Sequence, residues 1–135
     1  CKALHATAHG FGGVGEVHGG TPPLPFVDAR GGRHLLALAR VKAGAWSRNQ
    51  RESRDYAQLL YLFDAAPPFG VSRVSAPFTL PSCVQQKLHM RIQVVKSLVR
   101  ADGGYLLCWG ELDCYSCCAT LPDALVRQML QMPSG

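Results

Sequence analysis

The sequence predicts a mainly β fold of antiparallel strands, closed by one short C-terminal helix. Apolar runs of strand length recur between Gly and Pro punctuation, Asp102-Gly103-Gly104 joins two of them as a hairpin turn, and a helical pattern stands out only after Thr120. With 135 residues, 47% hydrophobic and 17% charged, the chain can build one domain with a core of its own.

The elements follow in chain order. Residues 1–25 are Gly-rich, with Gly10-Phe11-Gly12-Gly13-Val14-Gly15 and His18-Gly19-Gly20-Thr21-Pro22-Pro23, and read as a turning leading segment. These glycines do not open a helix after a strand, and no Gly-Lys-Ser/Thr follows, so neither the dinucleotide fingerprint nor the phosphate loop fits. Leu24 to Asp28 and His34 to Val41 read as strands around the connection Ala29-Arg30-Gly31-Gly32. Residues 43–55 are polar and suit an exposed loop. Tyr56 to Asp64 is an apolar, aromatic run of strand length that ends at Ala65-Ala66-Pro67-Pro68, and Phe69 to Phe78 supplies a further short extended piece. Ile92, Val94, Val95 and Val99 suit a buried strand; across the glycine turn, the partner run ends in Trp109-Gly110-Glu111-Leu112-Asp113. Thr120-Leu121-Pro122-Asp123 has the form of a capping box, and Ala124, Leu125, Val126, Met129 and Leu130 give an apolar face. A helix over 121–132 is predicted after antiparallel strands over 26–120.

Charge and cysteines exclude several classes. The net charge of +5 comes from scattered residues, concentrated only mildly at Arg48, Arg51 and Arg54, so no nucleic-acid partner is expected. No apolar run is long enough for a membrane helix, and no membrane partner is expected. Cys1 in place of an initiator Met reads as an internal start. Of six cysteines, Cys108, Cys114, Cys117 and Cys118 cluster, but Cys114-x-x-Cys117 lacks a second pair at zinc-ribbon spacing. Small buried thiols are the expectation, ahead of a disulfide or a metal site, with no metal and no cofactor. His18 and His34 fall in predicted turns and read as solvated, and His5, His9 and His89 lack ligand spacing for a metal.

Glu111 and Asp113, two residues apart, would share one face of a strand end. There they could bind a sugar or a metal, act in acid–base chemistry, or simply be solvated.

The order of motifs resembles the C-terminal half of the five-bladed β-propeller glycosidase and phosphorylase superfamily, including propeller modules associated with glycosyltransferases. The resemblance rests on Gly19-Gly20-Thr21-Pro22 before a hairpin, the strand from Leu35 to Val41, the stretch from Tyr56 to Ser75, and Ile92 to Asp113 with its Trp-Gly-Glu-Leu-Asp ending. It implies a partial β-propeller of about two to three antiparallel blades, because five blades of about 40–50 residues need a longer chain. It also implies carbohydrate as partner, bound in a central funnel. By motif position Thr21 is similar to a funnel-rim residue, Tyr56 to the aromatic start of a blade, and Asp113 to the acid ending a Tyr-Gly-x-x-Asp element in which Trp109 replaces Tyr. Arg40 stands where the family pattern has His, which exchanges a titratable group for a fixed cation.

The substrate-binding candidates are therefore Thr21, Arg40, Tyr56, Trp109 and Asp113, and Asp113 is also the candidate catalytic carboxylate, with Glu111 second. Each residue also has a plainer reading: Trp109 and Tyr56 as core aromatics, Arg40 in an ion pair, Asp113 in a turn. Glycoside hydrolysis needs two opposed carboxyl groups, so the chain is expected to be inactive alone. The function expected is a carbohydrate-binding or carbohydrate-processing module belonging to a larger protein. The alternatives are a non-catalytic interaction domain accessory to a glycosyltransferase and, from a different class, a cysteine-based redox or zinc protein.

Overall fold

A computed structural model describes residues 17–43, 55–84 and 92–132. They form a mainly β, antiparallel structure with one short C-terminal helix. The first sheet contains β1 (Val17–Gly19), β2 (Leu24–Val27), β3 (Arg33–Ala43), β4 (Asp55–Asp64) and β5 (Val71–Val74). The second contains β6 (Gln93–Ala101), β7 (Gly104–Glu111) and β8 (Tyr115–Pro122), followed by α1 (Asp123–Met129).

In the first sheet β4 covers one edge of β3, while β1 and β2 share the other. Val17–Gly19 pairs with residues 39–41 and Leu24–Val27 with residues 33–36. β1 and β2 thus act as one edge strand bent at Gly20-Thr21-Pro22-Pro23, where proline removes ladder donors. Gly20 is needed at this bend because a Cβ there would run into the Leu38 carbonyl oxygen. With the bend taken as one strand, both sheets are up-and-down meanders, four strands and three strands wide.

Period-two patterning sets the packing. Leu36 and Leu38 on β3 and Leu60 and Leu62 on β4 are buried and face Tyr105, Leu107 and Trp109 on β7 and Ala119 and Leu121 on β8 across one core. Ala39, Val41 and Leu59 form a smaller buried cluster on the opposite face of the first sheet. The β6–β7 turn uses Gly103 at φ +70, as Asp102-Gly103-Gly104 predicts.

The helix departs from expectation in its start and length. It has seven residues rather than the twelve of 121–132, its N-cap is Pro122, and no side chain caps it, so the Thr120 capping box is not formed. β8 runs directly into the helix, and the Asp123 carboxylate accepts a bidentate pair from Arg100 at 2.5 and 2.7 Å. Packing holds the helix in place: Val126 and Leu130 are buried in the shared core.

The histidine expectations also change. His18 lies in β1 and His34 in β3, not in turns. His34 is half-buried, with Nε2 3.2 Å from an Asp28 carboxylate oxygen. Residues 44–54 lie outside the described residues, so the loop expected over 43–55 is described only at Ala43, which ends β3, and Asp55, which begins β4. Also outside are the leading glycines, Arg48, Arg51, Arg54, Cys1, His5, His9 and His89.

Asp28 organises the β2–β3 turn by accepting from the N–H groups of Gly32 at 2.7 Å and Arg30 at 2.8 Å. The Gly32 and Arg30 N–H groups, joined by His34, hold its carboxyl below the usual carboxylate range. A carboxyl depressed in the folded state contributes stability above its unfolded pKa and loses it as pH falls through the folded value. Asp28→Ala is therefore expected to be less stable than the wild type at neutral pH and to converge with it in acid. Urea midpoints measured across that range check this; a gap that persists in acid would rule out the carboxylate as its source.

Candidate functional site

The Thr21, Arg40 and Tyr56 positions come together on the first sheet. Thr21 lies in the bend between β1 and β2, where its N–H donates to the Leu38 carbonyl at 3.2 Å and its Oγ1 accepts from the Leu38 N–H at 3.1 Å. One residue thus replaces the strand pairing that the prolines interrupt. Arg40 and Gln58 are cross-strand neighbours on the inward-facing side of the sheet, with Tyr56 next along that side. The Arg40 guanidinium carbon lies 5.0 Å from the centroid of the Tyr56 ring, within cation–π range. Both residues are half-buried, while Gln58 behind them is fully buried.

Gln58 links the sheets. Its Nε2 donates to the backbone carbonyl of Gln93, the first residue of β6, at 3.0 Å. Gln93 in turn clasps the segment that follows β5: its Oε1 accepts from the Leu80 N–H at 3.0 Å, and its Nε2 donates to the Leu80 carbonyl at 3.0 Å. The same amide lies 3.5 Å from Oε1 of Glu111, its cross-strand partner on β7. The space between the sheets therefore changes character along its length, from leucines to a polar end built of Arg40, Gln58, Gln93 and Glu111.

Among the described residues, three buried polar atoms of this region have no hydrogen-bond partner: Arg40 Nε, Gln58 Oε1 and Trp109 Nε1. Two are donors and one is an acceptor. Unmatched buried polar atoms are uncommon because each loses its water contacts without replacement, and they mark places where a water or ligand group completes the set.

Glu111 and Asp113 do not share a strand face. Glu111 ends β7, faces inward and is buried, whereas Leu112 and Asp113 form the β7–β8 turn with φ of 55 and 56. Asp113 is exposed, as a turn residue that tolerates the left-handed region. Trp109 is a core aromatic, buried between the sheets with only its indole N–H unmatched. Thr21, Arg40 and Tyr56 are therefore neighbours on one sheet, while Trp109 and Asp113 belong to the other and lie on the inner face and at the turn.

Among the described residues, the buried thiols expected of the cysteines are replaced by two disulfides and one exposed thiol. Cys108 and Cys118, direct cross-strand partners on β7 and β8, are joined at a Cα–Cα distance of 4.1 Å. Cys83 and Cys117 are joined at 6.0 Å, tying the segment after β5 to β8, and Cys114 in the turn is free. β8 places Cys117 inward and Cys118 on the outer side, so the two disulfides lie on opposite faces of the sheet.

Gln93 and Gln58 join the site only in the folded chain, although the sequence carries one signal for Gln58. In Tyr56-Ala57-Gln58-Leu59-Leu60-Tyr61-Leu62 it is the lone amide of an apolar strand and has the inward parity of Leu60 and Leu62. No sequence signal identifies the Leu80 contact of Gln93. The chain matches no family model, no curated protein and no solved structure.

Proposed function

We propose that this chain is a carbohydrate-binding module, part of a β-propeller in a larger carbohydrate-active protein, and that its ligand meets Arg40 and Tyr56. The observation that carries the reading is the half-buried Arg40–Tyr56 pair backed by the unmatched Arg40 Nε and Gln58 Oε1. An aromatic face beside a fixed guanidinium donor suits a sugar, which offers an apolar ring face and hydroxyls that accept. The two meanders packed across one core are consistent with neighbouring propeller blades, which are small antiparallel sheets packed in this manner. Thr21 shapes the same edge of β3 at Leu38, two residues from Arg40, whereas Trp109 and Asp113 belong to the second sheet.

Glycoside hydrolysis by this chain alone is not part of the proposal. Among the described residues, Glu111 is the one buried carboxylate, and its nearest acidic neighbour in sequence, Asp113, faces solvent. The chemistry needs two carboxyl groups held about 5–10 Å apart across the bond. An accessory role beside a glycosyltransferase uses the same binding surface without catalysis.

The test is a glycan array followed by calorimetric titration of the best ligand. Neutral glycans are expected to bind, with Arg40→Ala and Tyr56→Ala each weakening affinity by about 10-fold or more while leaving the circular dichroism unchanged. Failure of every glycan to bind, or affinities that survive both substitutions, would remove the sugar site from this surface.

A further inference from the structure

Glu111 is buried at 3% exposure with no cationic side chain within ion-pair distance among the described residues. Its Oε2 accepts from the Cys83 N–H at 2.9 Å and lies 3.6 Å from Cys117 Sγ, while its Oε1 is 3.5 Å from the Gln93 amide. In the disulfide state neither sulfur carries a proton. The carboxyl group then keeps one donor at 2.9 Å and one longer contact at 3.5 Å.

The same side chains suit a different state. The Cys83 and Cys117 sulfurs and a Glu111 oxygen all lie within 4.8 Å of one another, with Cys117 and Glu111 buried and Cys83 exposed. Once the sulfurs are reduced, two thiolates and a carboxylate converge on one point, and that donor set matches a thiolate-preferring divalent cation. We propose that, in the dithiol state, Cys83, Cys117 and Glu111 bind a divalent cation of the zinc class through three protein ligands, with a fourth position left for water. Gln93 acts from behind by orienting the Glu111 carboxylate. Exposed Cys83 gives the ion a way in. The site does not depend on the carbohydrate reading.

A trialkylphosphine takes the oxygen of one water and becomes the phosphine oxide, and the Cys83–Cys117 disulfide gains two electrons and two protons to give two thiols. The cation then displaces the two thiol protons, which leave to buffer, and forms two metal–sulfur bonds. Disulfide and metal therefore exclude each other at this position.

The full chain, reduced with a trialkylphosphine and freed of excess reductant, is titrated with cobalt(II) under argon and then with zinc. The expected result is one tightly held cobalt with a thiolate-to-cobalt charge-transfer band in the near ultraviolet, displaced by zinc, with about two protons released per zinc. Cys117→Ser should abolish the band, and Glu111→Gln should weaken zinc binding by about 10–100-fold. Cys108→Ser/Cys118→Ser, on the opposite face of the sheet, should leave both unchanged. The wild-type chain reoxidised to the disulfide should bind nothing, a comparison that needs no variant to fold. Absence of stoichiometric cobalt or zinc in the reduced chain, equal binding by the reoxidised chain, or a band that survives Cys117→Ser would overturn the proposal.

Discussion

Replacing Gln93 with leucine is expected to destabilise the protein by about 2–5 kcal/mol, although leucine is apolar and of similar length. The amide is a substitute for a strand partner: it accepts from the Leu80 N–H and donates to the Leu80 carbonyl, both at 3.0 Å, where Leu80 itself is buried. Leucine would leave a buried N–H and a buried carbonyl unpaired, each at a desolvation penalty of about 1–3 kcal/mol. Gln93→Glu separates the two contacts. Glutamate still accepts from the Leu80 N–H but cannot donate to the Leu80 carbonyl, so this variant should leave one of the two groups unpaired. Urea denaturation followed by circular dichroism gives both values. A Gln93→Leu variant within about 0.5 kcal/mol of the wild type would mean that water reaches Leu80 and that the clasp contributes little.

Leu60→Ala is expected to lower stability by about 3–5 kcal/mol. Leu60 is fully buried at the centre of β4, opposite Leu38 on β3 and facing the second sheet, and its backbone N–H is already committed to Ser75 Oγ at 2.9 Å. The backbone is tied on both edges, to β3 on one side and to the Ser75 segment on the other, so the sheet has little freedom to collapse into the space a leucine vacates. The substitution therefore loses both the transfer free energy and the contacts around the cavity. Val99→Ala, at a side chain 46% exposed on the outer side of β6, provides the contrast and should change stability by no more than about 0.5 kcal/mol. Similar losses at the two sites would mean that the space between the sheets is not the principal core.

Thermodynamic coupling between the two regions can be anticipated from the hydrogen bonds. Gln58 shares the inward face of β4 with Leu60 and reaches the Gln93 carbonyl, so Leu60→Ala and Gln93→Leu act on connected parts of one interface. Their combined effect should fall short of the sum, since once the sheets have loosened at Leu60 the Leu80 groups are nearer to water.

Local chemistry in the chain was enough to determine the antiparallel, mainly β character. Asp102-Gly103-Gly104 places glycine where a positive φ is required, Pro67-Pro68 stops β4, alternation in the 104–111 run fixes an inward face, and apolar spacing after Pro122 places the closing helix. These signals act over a few residues and depend on backbone sterics and side-chain period. Tertiary structure decided what lies between the sheets. Whether Glu111 or Asp113 faces inward turned on where β7 ends, and two left-handed residues end it one position after Glu111. The pairing of Cys83 with Cys117, 34 residues apart, and the reach of Gln58 to Gln93, 35 residues apart, depend on how two separate meanders stack. Sequence carries turns and alternation because their causes are local; it does not display the register between sheets, which is set only when the leucine face of one closes on the other and leaves its polar end to Arg40, Gln58, Gln93 and Glu111.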